Sequence, residues 1–124
     1  MKTLPNGLRI FNGTPHVIRF WTEGWDTPVE VPPDEAITAK VEDLPLDDLD
    51  PRVEFVEPVF TPTLDGMEIV NCAIMSGADV IVGSIIAAQA YPCLVAAMTP
   101  TPGFERVPPA EKRMNPSKFT MYTG

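Results

Sequence analysis

The chain has 124 residues, 15 of them proline and 8 glycine, with 17 acidic side chains against 9 basic ones. That length suits one domain with a sizeable core, and 44% apolar residues are enough to fold it. Proline at more than twice the usual ~5% belongs in turns, edges and ordered loops, which excludes a helix bundle, while a net charge of −8 repels the phosphate backbone of DNA or RNA.

The first half reads as short strands. Val17-Ile18-Arg19-Phe20-Trp21 is β-branched and aromatic, bounded by Asn12-Gly13-Thr14-Pro15 before it and Thr22-Glu23-Gly24 after it. Val29-Glu30-Val31 alternates and stops at the Pro32-Pro33-Asp34 turn. Residues 37–42 alternate apolar and polar as a half-buried strand should, and Arg52 to Phe60 is extended with Pro58 marking an edge. Together these predict an antiparallel meander with one buried face.

The second half changes character. Leu64 to Met75 carries apolar side chains near a helical period, with a strand as the alternative. Asp79 to Val82 is a short apolar run suited to a central strand buried on both faces. Gly83-Ser84 then leads into Ile85 to Tyr91, a helix of about two turns with Ser84 as N-cap, ended by Pro92. Leu94 to Met98 reads as a further strand. From Thr99 the composition is that of an ordered loop with polyproline-like segments, and Phe119 to Tyr122 closes the sheet as an edge strand. The expected fold is α+β: an antiparallel sheet with one or two short helices and an ordered Pro-rich C-terminal segment. Within the single domain 1–124, residues 1–63 are mainly β, 64–98 form the strand–Gly-Ser–helix core, and 99–124 are a basic tail with a terminal strand.

Charge is segregated along the chain. Residues 1–22 carry +3, 23–68 carry −12, 69–102 carry −1 and 103–124 carry +2. The acid concentrates in the run from Glu42 to Pro51, which reads as a solvated loop and lacks the carboxylate spacing of a calcium-binding loop. The N-terminal MKTLPNGLRI has no apolar signal-peptide core, and no apolar run is long enough to span a bilayer. Cys72 and Cys93 read as buried reduced thiols, with a disulfide as the alternative. These features predict a cytoplasmic protein with no membrane or nucleic-acid partner.

No coherent catalytic set is visible. His16 is the only histidine, and its neighbours Thr14 and Pro15 place it in a turn. The Val82-Gly83-Ser84-Ile85-Ile86 stretch lacks the second glycine of a nucleophile elbow, and one histidine with two separated cysteines makes no zinc set. We therefore expect a non-enzymatic protein with no metal and no cofactor. Two features do point to a small anion. At the Gly83-Ser84 junction, backbone N–H groups open a helix, although a well-capped buried helix accounts for the same residues. In the tail, Arg106, Lys112 and Arg113 stand beside Phe104, where guanidinium groups bind phosphate and an aromatic face stacks on a base. The same cations also suit an interface with the acidic segment of another subunit.

Asn12-Gly13-Thr14-Pro15-His16-Val17-Ile18, Val31-Pro32-Pro33-Asp34 and the run from Val80 to Ala90 resemble a group of small phage and bacterial proteins. Those carry an N-x-T-P-H-x-I start, a V/I-P-P-x-G turn and an I-V-S-x-x-V-A-x-A strand–helix. This chain departs from them in Asp34-Glu35, where serine–glycine is common, and in Gly83 before Ser84. The layout is also similar to the phage anti-Thoeris sponges, which sequester glycocyclic ADP-ribose immune signals. That resemblance implies a homo-oligomer binding its ligand between protomers, with Gln89 as amide ligand, Arg106 as arginine and Phe104 as aromatic. Arg52 stands for the upstream arginine.

The reading that follows is an oligomeric sponge for a cyclic nucleotide-type signal in a host cytoplasm, with ligand residues Gly83, Ser84, Gln89, Phe104, Arg106 and Arg113. The alternative is a virion-associated structural protein engaged in protein–protein contacts.

Overall fold

Residues 1–47 and 50–124 are described by a computed structural model. In chain order its elements are β1 (Lys2–Thr3), β2 (Arg9–Asn12), β3 (Ile18–Phe20), β4 (Val29–Val31), β5 (Ala39–Pro45) and β6 (Val56–Pro62). Then come α1 (Leu64–Met75), β7 (Val80–Val82), α2 (Ile85–Ala90), β8 (Ala96–Pro100), a 3-10 turn (Pro109–Glu111) and β9 (Met114–Met121). The class is α+β with short helices, as the sequence predicts.

Local chemistry sets the helix ends. Thr63 caps α1, its hydroxyl accepting from the Gly66 amide at 2.9 Å, and the helix buries Gly66, Val70 and Ala73. Ser84 caps α2 by accepting from the Ala87 amide at 3.0 Å. Each cap satisfies a donor that the first helical turn leaves without an intrahelical partner.

Seven strands form one sheet in the order β1-β2-β7-β8-β9-β3-β4. Antiparallel pairs join β1–β2, β8–β9 and β3–β4, while β2–β7, β7–β8 and β3–β9 run parallel, so the sheet is mixed. It is not the antiparallel meander expected, because distant strands insert between sequence neighbours. It curls until its ends nearly meet. The Asn12 side chain at the end of β2 donates to the Val31 carbonyl on β4 at 3.0 Å, and the Asp34 amide donates to the Asn12 carbonyl at 2.9 Å. Inside the curl lie Leu4, Ile10, Ile18, Phe20, Val31 and Val82. Ile81 faces the other way, into a layer where Val70 and Ala73 of α1 meet Ala87, Ala88 and Ala90 of α2. Val80–Val82 is thus buried on both faces, and full burial of one such side chain stabilises by about 1.5–3 kcal/mol.

β5 and β6 form a separate two-stranded ribbon, paired from Ala39↔Pro62 to Pro45↔Val56. Its root joins the body, where Ala39 and Phe60 pack against the helical layer. The Tyr91 hydroxyl pins that root, donating to the Thr38 carbonyl at 2.8 Å and accepting from the Thr63 amide at 3.0 Å.

Several expectations need correcting. The acidic run does not start as a loop: Glu42 to Pro45 belong to β5, held by the ladder to β6 rather than by their own composition. Asp48 and Leu49 lie outside the described residues. The strand expected over 37–42 begins at Ala39, and that expected over 94–98 runs from Ala96 to Pro100. The terminal strand begins at Met114 and lies inside the sheet between β8 and β3, not at its edge. β2 has no counterpart in the sequence reading, being four residues that only the parallel pairing to β7 makes a strand. Cys72 and Cys93 are free, and both are exposed rather than buried.

Candidate functional site

β2, β7 and β8 run parallel, so their carboxyl ends open on one side of the molecule. In open α/β sheets that edge is where ligands commonly sit. Here it holds an open cleft of about 730 Å³. One wall is the loop after β2, Thr14 to Val17, continuing into Ile18 and Arg19 of β3. A second is Gly83, Ser84 and Ile85, and the floor and far side are Met98, Pro100, Met114 and Lys112.

The loop after β2 is held from beneath by Asn12, whose side chain is fully buried. Its Nδ2 donates to the His16 carbonyl at 2.8 Å as well as to Val31. Its Oδ1 accepts from the Thr14 amide at 3.0 Å and the Thr14 hydroxyl at 2.7 Å. All polar groups of the amide are used within the fold, so Asn12 is a positioning residue that turns His16 and Val17 outward. The N-G-T-P-H segment is legible from this geometry: Asn closes the turn, Gly13 passes against Ile37 and Val82 where a Cβ has no room, and Thr14 completes the network.

The junction after β7 is shaped by backbone. A Cβ on Gly83 would come 2.7 Å from Val95 Cγ1. The Gly83 amide is already given to the Ala96 carbonyl at 2.9 Å, and the Ala87 amide to Ser84. With six residues in α2, the junction contributes a close, uncharged wall, and the positive charge of the cleft comes from elsewhere.

That charge is supplied by Arg19 and Lys112. No aspartate or glutamate is among the lining residues, although the chain carries 17 acids. Arg19 is steadied by Glu30 at 3.2 Å from its Nε and by the Ala110 carbonyl at 3.2 Å from Nη1. The same two cations also line an adjoining hollow of about 430 Å³ with Pro28, Phe104, Val107, Glu111 and Arg113. Arg113 lies 4.7 Å over the Trp21 ring and 4.8 Å over Phe104, and the two rings meet edge to face at 5.8 Å. Such cation–π stacking contributes about 0.5–1 kcal/mol at exposed sites.

The expected ligand residues therefore fall into two groups and three outliers. Gly83 and Ser84 line the larger cleft, and Phe104 and Arg113 line the smaller one, stacked on each other. Gln89 bonds back to the Ile85 carbonyl at 3.3 Å on α2, and exposed Arg106 lines neither cleft. Arg52 sits on the ribbon, holding Asp50 through Nε at 3.1 Å and Nη2 at 2.8 Å. That contact lowers the Asp50 pKa and raises that of Arg52. Sequence reasoning missed Arg19 as a site residue. The signal was its alternation with Ile18 and Phe20: those two are buried while Arg19 stays half-exposed, and it lines both the cleft and the adjoining hollow.

Compared with protein-family models, curated proteins and solved structures, the chain shows no match.

Proposed function

We propose that the chain is a non-enzymatic binding protein that captures a small amphipathic anion of cyclic-nucleotide type, acting as a sponge for such a signal. The carrying observation is the acid-free lining of the 730 Å³ cleft in a protein of net charge −8. Pocket volumes of about 300–1,000 Å³ suit small molecules and cofactors. Arg19 and Lys112 offer charged donors for phosphate, with Ser84 at the opposite wall. Val17, Ile85, Met98 and Met114 offer apolar surface for a base or ribose. The pre-organised N-G-T-P-H loop supports a binding role, because a wall already held in place loses little entropy when ligand arrives.

Isothermal titration against cyclic ADP-ribose isomers and cyclic di- and trinucleotides tests this reading. Binding heat is expected for at least one, and Arg19→Gln with Lys112→Gln should weaken it at least about tenfold, since hydrogen bonds to charged groups contribute about 1.5–3 kcal/mol. Absence of heat and of thermal shift across the panel refutes it.

The second reading, a virion-associated structural protein, draws support from the β5–β6 ribbon with its exposed apolar side chains. Stoichiometric copies in purified particles would decide for it.

A further inference from the structure

The ribbon of β5, β6 and their connection, residues 39–62, is poorly covered by its own protomer. Val41, Leu44, Leu46, Val53, Phe55 and Val56 are each 41–50% exposed. A lone two-stranded ribbon is marginal in water and needs a third layer. Among the described residues its root, Ala39 and Phe60, receives one from the helices. The whole protomer shows the same surplus. Its accessible surface is 7888 Å². A compact monomer of its 13.6 kDa exposes about 6,600 Å². The excess of about 1,300 Å² is more than the ~800 Å² that each partner buries in a standard interface.

Charge says what covers it. The ribbon carries seven acids and two bases. Both bases are used within it, Lys40 on Glu42 and Arg52 on Asp50, each at 2.8 Å. Asp43, Asp47, Glu54 and Glu57 have no cationic partner among the described residues. The complementary surface is on the same chain but is not reached by its own ribbon. Arg106, Lys112, Arg113 and Lys118 of the tail make no ion pair among the described residues.

We infer that a second copy of this chain covers the ribbon, in a two-fold dimer where each ribbon lies along its partner's basic tail, residues 103–124. A two-fold axis makes the contact reciprocal, so both ribbons are covered and no open surface remains to propagate a fibre.

Light scattering and native mass spectrometry across micromolar concentrations test it. The wild-type chain should run at twice the 13.6 kDa protomer mass. In an excised variant, Asn-Gly replaces residues 43–58 between the paired Glu42 and Val59, a loop suited to a two-residue hairpin turn. That variant should unfold cooperatively and run as a monomer. Two charge-reversed chains serve even where excision harms folding: Glu54→Lys/Glu57→Lys in the ribbon, and Arg106→Glu/Lys118→Glu in the tail. Each alone should self-associate at least about tenfold more weakly, and their mixture should recover a heterodimer. A monomeric wild type, a dimer indifferent to excision and to both reversals, or a mixture without heterodimer overturns the proposal. Lys112 belongs to both the tail and the cleft, but Glu54, Glu57, Arg106 and Lys118 line neither hollow. Ligand titration of the charge-reversed chains therefore reads the cleft apart from association, and failure of one reading is distinguishable from failure of the other.

Discussion

Asn12 shows how much one side chain can decide at the residue scale. Its amide closes the turn to His16, reaches across to Val31 on the far edge of the sheet, and receives both polar groups of Thr14. Asn12→Ala strips those partners in a site with no solvent, and each buried group left unpaired costs about 1–3 kcal/mol. We expect a loss of about 2–4 kcal/mol in urea unfolding, with weaker ligand capture because the cleft wall loosens. A loss below about 0.5 kcal/mol, the range of ordinary surface substitutions, would contradict that role. Arg19 and Lys112 behave differently. Both reach solvent at the cleft, so their replacement by glutamine should leave unfolding within about 0.5 kcal/mol while lowering affinity.

At the scale of elements, the joint between α1, α2 and the ribbon is the most tightly specified. A Cβ on Gly66 would overlap the Tyr91 hydroxyl and come 2.5 Å from the Thr38 carbonyl. Gly66→Ala, which raises intrinsic helix propensity by about 1 kcal/mol, should therefore destabilise by about 2–4 kcal/mol in thermal or urea unfolding. Tyr91→Phe keeps the ring but orphans the Thr63 amide and leaves the Thr38 carbonyl only the Thr63 hydroxyl at 3.3 Å, so a loss of about 1–3 kcal/mol is expected, with faster amide exchange at the ribbon root. The ribbon's own ion pairs are weaker devices. The hydrogen bond from Lys40, aided by its charge, lowers the Glu42 pKa, and the Arg52 contact lowers that of Asp50. A carboxylate lowered in the folded state stabilises above its unfolded pKa, and that contribution fades as pH falls through the lowered folded value. Both pairs are solvent-exposed, so global stability should change little on this account. Carboxylate chemical shifts should titrate below the ordinary range for Glu42 and Asp50, and Lys40→Met should return Glu42 to it. An unshifted Glu42 in the native chain would show that the pair does not persist in solution.

The whole molecule separates its charges. Acid sits on the ribbon and its flanks, while the cleft and tail carry the cations, so a net charge of −8 coexists with an acid-free pocket. No helix among the described residues is long and apolar enough to cross a membrane. The curled sheet accounts for both the pocket and the surplus surface. Curling brings β2 and β4 together to build the cleft wall, and spends the interior on Ile10, Phe20, Val31 and Val82. The ribbon is left outside this closed interior, with its root against the helices. Salt should accordingly weaken association through the ribbon more than it weakens folding, which concentration-dependent light scattering at rising ionic strength would read.

Local signals in the sequence were enough for the span of α1, Leu64 to Met75, while leaving helix and strand open there, and for the Val80–Val82 strand with its Ser84 cap. They were enough for β3 and β4, where β-branched runs stop at turn residues within a few positions. Proline was expected in turns, edges and loops, and Pro58 does sit on a two-stranded ribbon, but Pro116 is fully buried in β9 inside the sheet, within a stretch that has no register partner. What the sequence left open depends on contacts between distant residues. β2 is four residues long and acquires its strand from β7, seventy positions away. The acidic stretch from Glu42 to Pro45 extends because β6 pairs with it, overriding a loop-like composition. β9 lies inside the sheet, not at an edge, because β3 returns to its open side. The cleft follows from the same pairing, with Arg19 and Lys112 meeting at it from positions 93 residues apart. Composition and periodicity act over a few residues and determine the elements; the closure of the sheet acts over the whole chain and decides which of them face a common site.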